Sequence, residues 1–93
     1  MARKAQLTHD QKLSAAVGQV IHERRERLGF TQSGFARAKG FQRVYIGEVE
    51  RGKRSLAIRN VCRLAEALGM TASKVLKKAE QKLEKEAKAK KAR

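Results

Sequence analysis

Four glycines, Gly29, Gly40, Gly52 and Gly69, cut a proline-free chain into segments of helical length. A glycine just past the last turn takes a left-handed conformation at little steric cost, so each is read as a helix stop. The intervening segments are rich in Ala, Leu, Glu, Lys and Arg, all strong helix formers. None shows the apolar–polar alternation of a half-buried strand. The pattern predicts an all-α chain of five helices joined by very short loops, which makes a compact bundle.

Apolar periodicity places each helix. The first starts after Thr8, which has capping-box spacing to Gln11, with Asp10 near the positive end of the helix. Leu13, Val17, Val20, Ile21, Arg24 and Leu28 then share one face. Thr31 caps a second helix over 32–38 that buries Phe35 and Ala36, and Phe41 follows Gly40 as an apolar plug. A third runs over 42–50 with Ile46 and Val49 inward. The fourth, over 57–68, presents Ile58, Val61, Leu64, Ala65 and Leu68 to the core. Thr71 or Ser73 caps a fifth that continues through Val75, Leu76, Ala79, Leu83 and Ala87, supported by Glu84–Lys88 and Glu86–Lys90 at i,i+4 spacing. Residues 87–93 bury nothing and are expected to fray.

A chain of 93 residues holds one compact domain. It divides into a flexible basic arm over 1–8, a folded domain over 9–76 and a lysine-rich helical extension or tail over 77–93. The formal net charge is +14, which attracts polyanions and opposes self-association. Residues 71–93 carry nine basic and three acidic side chains, +6 in all, so the basic character also belongs to the folded part. No apolar run is long enough to span a bilayer and no secretory pattern is present, so a cytoplasmic protein is expected. The single cysteine, Cys62, excludes an intramolecular disulfide and is read as a small residue in or near the core of the fourth helix. His9 and His22 have no second ligand at metal spacing. No residue set suggests nucleophilic catalysis, so neither an enzyme nor a cofactor is expected.

The informative stretch is the second helix, the turn at Gly40 and the third helix, which match the spacing of a helix-turn-helix. In that motif the second of the two helices enters the major groove, where each base pair shows a distinct donor, acceptor and methyl pattern. With Ile46 and Val49 inward, Val44, Gly47, Glu48 and Arg51 point outward, and Gln42 and Arg43 sit at the helix start. Arg43 suits guanine, Gln42 adenine or a phosphate, Val44 a thymine methyl, and Glu48 can accept from cytosine N4. Gly47 is expected to let the backbone approach a base edge. Arg51, Lys53 and Arg54 form a basic loop placed to hold a phosphate strand, with Thr31 and Tyr45 as further phosphate contacts. Tyr45 is read as part core, and Phe30, Phe35 and Phe41 as core rather than base-stacking platforms.

The run from Leu28 to Arg54, followed by Arg63 to Leu76, resembles the Cro/CI-like (XRE) helix-turn-helix family of phage repressors and bacterial regulators. The marks are Thr31-Gln32, Gly40, Tyr45-Ile46 and Glu50-Arg51-Gly52. The resemblance implies a five-helix lambda-repressor-like domain and, usually, symmetric dimers on inverted-repeat operators. It implies that Gln32 contacts a phosphate and braces the recognition helix, that Gln42, Arg43, Val44 and Glu48 read bases, and that Arg25 and Glu50 form an internal ion pair. Gly34, Lys39, Gln42 and Leu56-Ala57 depart from the usual pattern; the family commonly has Pro-Ser at the last pair. Leu56 with Asn60 resembles, more weakly, the controller proteins of restriction-modification systems.

Val75, Leu76, Ala79 and Leu83 are candidates for a dimer seam, and Leu83 has no obvious partner within one small domain. The reading is a homodimeric regulator, a repressor or autoregulator, bound to double-stranded DNA, with no membrane partner. Two alternatives are a DNA-binding antitoxin paired with a toxin and an architectural DNA coater. The base-reading set on the third helix argues against the coater, which has no use for one.

Overall fold

The helix formers between the glycines fold as expected into α1 (His9–Arg27), α2 (Gln32–Lys39), α3 (Arg43–Glu50), α4 (Ile58–Ala67) and α5 (Ala72–Lys91). This computed structural model describes residues 9–91 and has no strand among them. The expected basic arm and the Thr8 cap lie outside the described residues. Thr31 caps α2 by accepting a hydrogen bond from the Gly34 N–H at 2.9 Å. Gly40 closes α2 at φ 78°, which lets its neighbour Phe41 donate its N–H to the Ala36 carbonyl and turn the chain into α3.

The core gathers Phe35, Ile21, Ile46, Leu64, Leu68, Val49 and Val75, all almost wholly buried. Helix α1 is its axis, packing on α3 along one side and on α5 along another. The α1–α3 approach is backbone to backbone. A Cβ built on Gly18 would overlap the Val49 carbonyl oxygen and crowd that of Glu50. Glycine at this position therefore sets how deeply the end of α3 seats against α1.

Two expectations need correction. Ile58 is 80% exposed instead of buried, because α4 begins there and the preceding Leu56 packs against the core in its place. Cys62, one turn on, shares that outward face and is exposed. Helix α5 extends to Lys91, consistent with the strong helix formers and i,i+4 charge spacing of its last turns, and residues 87–90 are exposed and bury nothing, as expected.

The dimer candidates also divide. Val75 and Ala79 are consumed by the core of their own protomer and cannot form a seam. Leu76 and Leu83 are partly buried against that core and keep some exposed surface.

Candidate nucleic-acid interface

The turn at Gly40 sets α3 across the end of α2 and leaves its first residues outside the core. Gln42 flanks the helix in an extended conformation and makes no side-chain cap bond, so its amide is not engaged in capping. Gln42, Arg43 and Val44 are all exposed, Val44 at 62%. Ile46 and Val49 anchor the opposite face. The outcome is a short helix that offers an amide, a guanidinium and a branched apolar side chain at one end, the chemistry that distinguishes adenine, guanine and thymine edges.

The other end of α3 is fixed by a buried cluster around Glu50. Arg25 Nε donates to Glu50 Oε2 at 2.7 Å and Arg25 Nη2 to Oε1 at 2.9 Å. Arg25 Nη1 also donates to the Phe30 carbonyl at 2.6 Å. Gln32 Nε2 donates to Glu50 Oε1 at 3.0 Å, which links α2 to α3. His22 Nδ1 lies 2.8 Å from the same oxygen and 3.2 Å from Arg25 Nη2. Both side chains of the Arg25–Glu50 pair are nearly inaccessible. Burial raises the Glu50 carboxyl pKa, but the bonds from Arg25, Gln32 and His22 outweigh it and hold the group below its ordinary value. The Glu50 bond is likewise the main reason Arg25 is held above its ordinary value.

Other candidate residues are placed less simply. Glu48 is half-buried and tied to Arg54 at 2.9 Å, so base reading by Glu48 requires Arg54 to move. Gly47 is buried instead of outward. The Arg51 guanidinium and the Gln32 amide cover it, the nearest atom 3.3 Å from where a Cβ would stand. Tyr45 has its hydroxyl buried, without a hydrogen-bond partner among the described residues, so the expected phosphate contact is not presented here. Its ring stacks on Phe41 with centroids 6.2 Å apart, and Arg54 lies over it at 5.2 Å. Burial raises the phenol pKa, opposed by the nearby Arg54 and Arg63. Thr31 accepts the α2 cap bond on its hydroxyl oxygen and keeps the O–H proton to donate to a phosphate. Arg51, Lys53 and Arg54 are exposed and form a continuous basic edge after α3.

A family model described as helix-turn-helix matches residues 21–75, which spans α2, the Gly40 turn and α3 together with most of the remaining core. The chain belongs to the XRE-type helix-turn-helix family. A hypothetical transcription factor of Neisseria meningitidis serogroup B is 33% identical over 72 residues, 77% of this chain and 68% of that protein. The crystal structure of the restriction-modification controller protein C.AhdI from Aeromonas hydrophila shares 34% identity. It covers 66% of this chain and 92% of its own, with a TM-score of 0.60. The clp gene regulator ClgR from Corynebacterium glutamicum is 25% identical, covering 86% and 85%, with a TM-score of 0.78.

Membership makes this helix-turn-helix protein a DNA-binding transcriptional regulator and not an enzyme. No helix among the described residues is long and apolar enough to cross a membrane. Two residues beside the interface escape the sequence reading. His22 joins the Glu50 cluster, and its one signal is its place a turn before Arg25. Arg63 of α4 lies 4.9 Å over the Phe41 ring, a contact between distant segments that no local spacing announces.

Proposed function

We propose that this regulator binds duplex DNA sequence-specifically with the first turn of α3 in the major groove, as a homodimer acting as a repressor or autoregulator in the cytoplasm. Residues 9–76 form the DNA-binding domain, and 77–93 are a lysine-rich extension to it. The observation that carries this reading is the exposed Gln42, Arg43 and Val44 edge on a helix whose far end is pinned by the buried Arg25–Glu50 pair. A fixed helix presents its side chains in one register, which base readout requires. Arg51, Lys53 and Arg54 hold the adjacent phosphates, and Gln32 both braces α3 and reaches the backbone. Similarity to a restriction-modification controller and to a clp gene regulator supports a regulatory role. Leu76 and Leu83 supply the remaining α5 surface for pairing.

Selection from a random duplex pool at about 150 mM salt tests this. The expected product is an inverted repeat with half-sites about one helical turn apart. Recovery of no motif would sink sequence-specific reading, and recovery of one unpaired half-site would sink the homodimer.

A further inference from the structure

The α5 helix carries a row that the recognition helix does not use. Lys74, Lys78, Gln81, Lys85 and Lys88 recur at alternating steps of four and three residues, which places them on one side of a helix. All five are exposed. The acidic residues of α5 are Glu80, Glu84 and Glu86, and at about 3.6 residues per turn all three fall off this row. From Lys74 to Lys88 the row spans about 21 Å, at about 1.5 Å per residue.

Lys78, Gln81, Lys85 and Lys88 of the row edge an open groove of about 500 Å³ between α5 and α1, walled on the α1 side by Val20 and Glu23. Glu23 is already matched by Lys82 at 2.7 Å, and Glu84, at i,i+4 spacing to Lys88, is the other acidic residue lining the groove. Past Lys78 a smaller cleft adds Arg24 and Arg27. On α1 the residues facing α3 are Gly18, His22 and Arg25, whereas Val20 and Glu23 face α5. The groove and the recognition helix therefore lie on different sides of α1.

We infer that this row is a second polyanion site, which holds the phosphate backbone of a second DNA duplex so that one molecule bridges two DNA segments. One strand of a duplex offers a charge about every 3.4 Å, so a row of this length matches about six phosphate steps. Four lysines along one side, with the neutral Gln81 between them, suit a long ladder of phosphates better than a peptide, which needs side-chain pockets. A lipid surface fits poorly, because the apolar face of α5 is spent on the core through Val75 and Ala79 and has nothing to insert. Bridging rests on the α3 reading, while DNA binding by the row itself does not.

Backbone amide shifts of the full chain, followed while a short duplex is added stepwise at about 100 mM salt, separate the two claims. The first equivalent is expected to move the amides of 42–51, and further duplex those of 74–88. In the triple variant Lys78→Gln, Lys85→Gln, Lys88→Gln the second set of shifts is expected to vanish while the first persists. The proposal is overturned if α5 amides never move, if they move together with α3 on the first equivalent, or if the triple variant keeps the second set. Equal shifts from polyglutamate at matched charge overturn it in favour of an acidic protein. Movement of α5 without α3 leaves the row standing and removes the α3 reading, and with it the bridge.

Discussion

Glu50 accepts from Arg25 and Gln32 and lies against His22, all on two other helices. Removing its charge strands the Arg25 guanidinium in a site it cannot leave. The Glu50→Gln substitution is expected to cost about 3–5 kcal/mol, the usual penalty for breaking a buried pair on one side, read as a lower urea midpoint with unchanged slope. The pH dependence follows from the same group. Its folded-state pKa lies below the ordinary carboxyl value, so the pair contributes stability that is complete above the unfolded-state pKa. That contribution is lost as pH falls through the folded-state value. Acid titration of urea stability is expected to show a steeper acid limb in the native protein than in Glu50→Gln; equal limbs would mean that Glu50 is not linked to folding.

At the scale of elements, the seat of α3 against α1 depends on Gly18. Gly18→Ala drives a methyl group into the Val49 carbonyl. The overlap is with backbone, which cannot rotate away, so a loss of about 1–3 kcal/mol is expected, with weaker DNA binding because α3 is displaced. Unchanged thermal stability would contradict the close approach. The start of α4 offers the opposite sign. Ala57 is extended and makes no side-chain cap bond, so Ala57→Ser is expected to add about 1 kcal/mol, seen as a higher melting temperature.

These elements were largely legible because the glycine stops and apolar periods are local. The sequence reading misplaced Ile58 because two apolar residues, Leu56 and Ile58, compete for one core position, and only packing decides between them. It missed the burial of Gly47 for a related reason. The cover comes from Arg51, an i,i+4 neighbour, and from Gln32 on another helix, and helical spacing describes only the first. Val75 and Ala79 were assigned to a seam because the depth to which α1 covers α5 is a tertiary fact.

For the whole molecule, +14 of charge on 93 residues makes electrostatics the main source of affinity. If six to ten phosphates are neutralised, duplex affinity is expected to fall by about 10³–10⁵ between about 50 and 200 mM salt. Filter binding across that range checks it, and a shallow slope would mean that few of these cations meet phosphate. Charge alone gives no preference among sequences, however. The central claim is that the exposed start of α3 supplies the preference, and Arg43 tests it most directly. Duplex selection repeated with Arg43→Ala is expected to return the same paired arrangement with one position relaxed in each half-site. An identical motif from the variant would contradict the account and move base reading away from the first turn of α3.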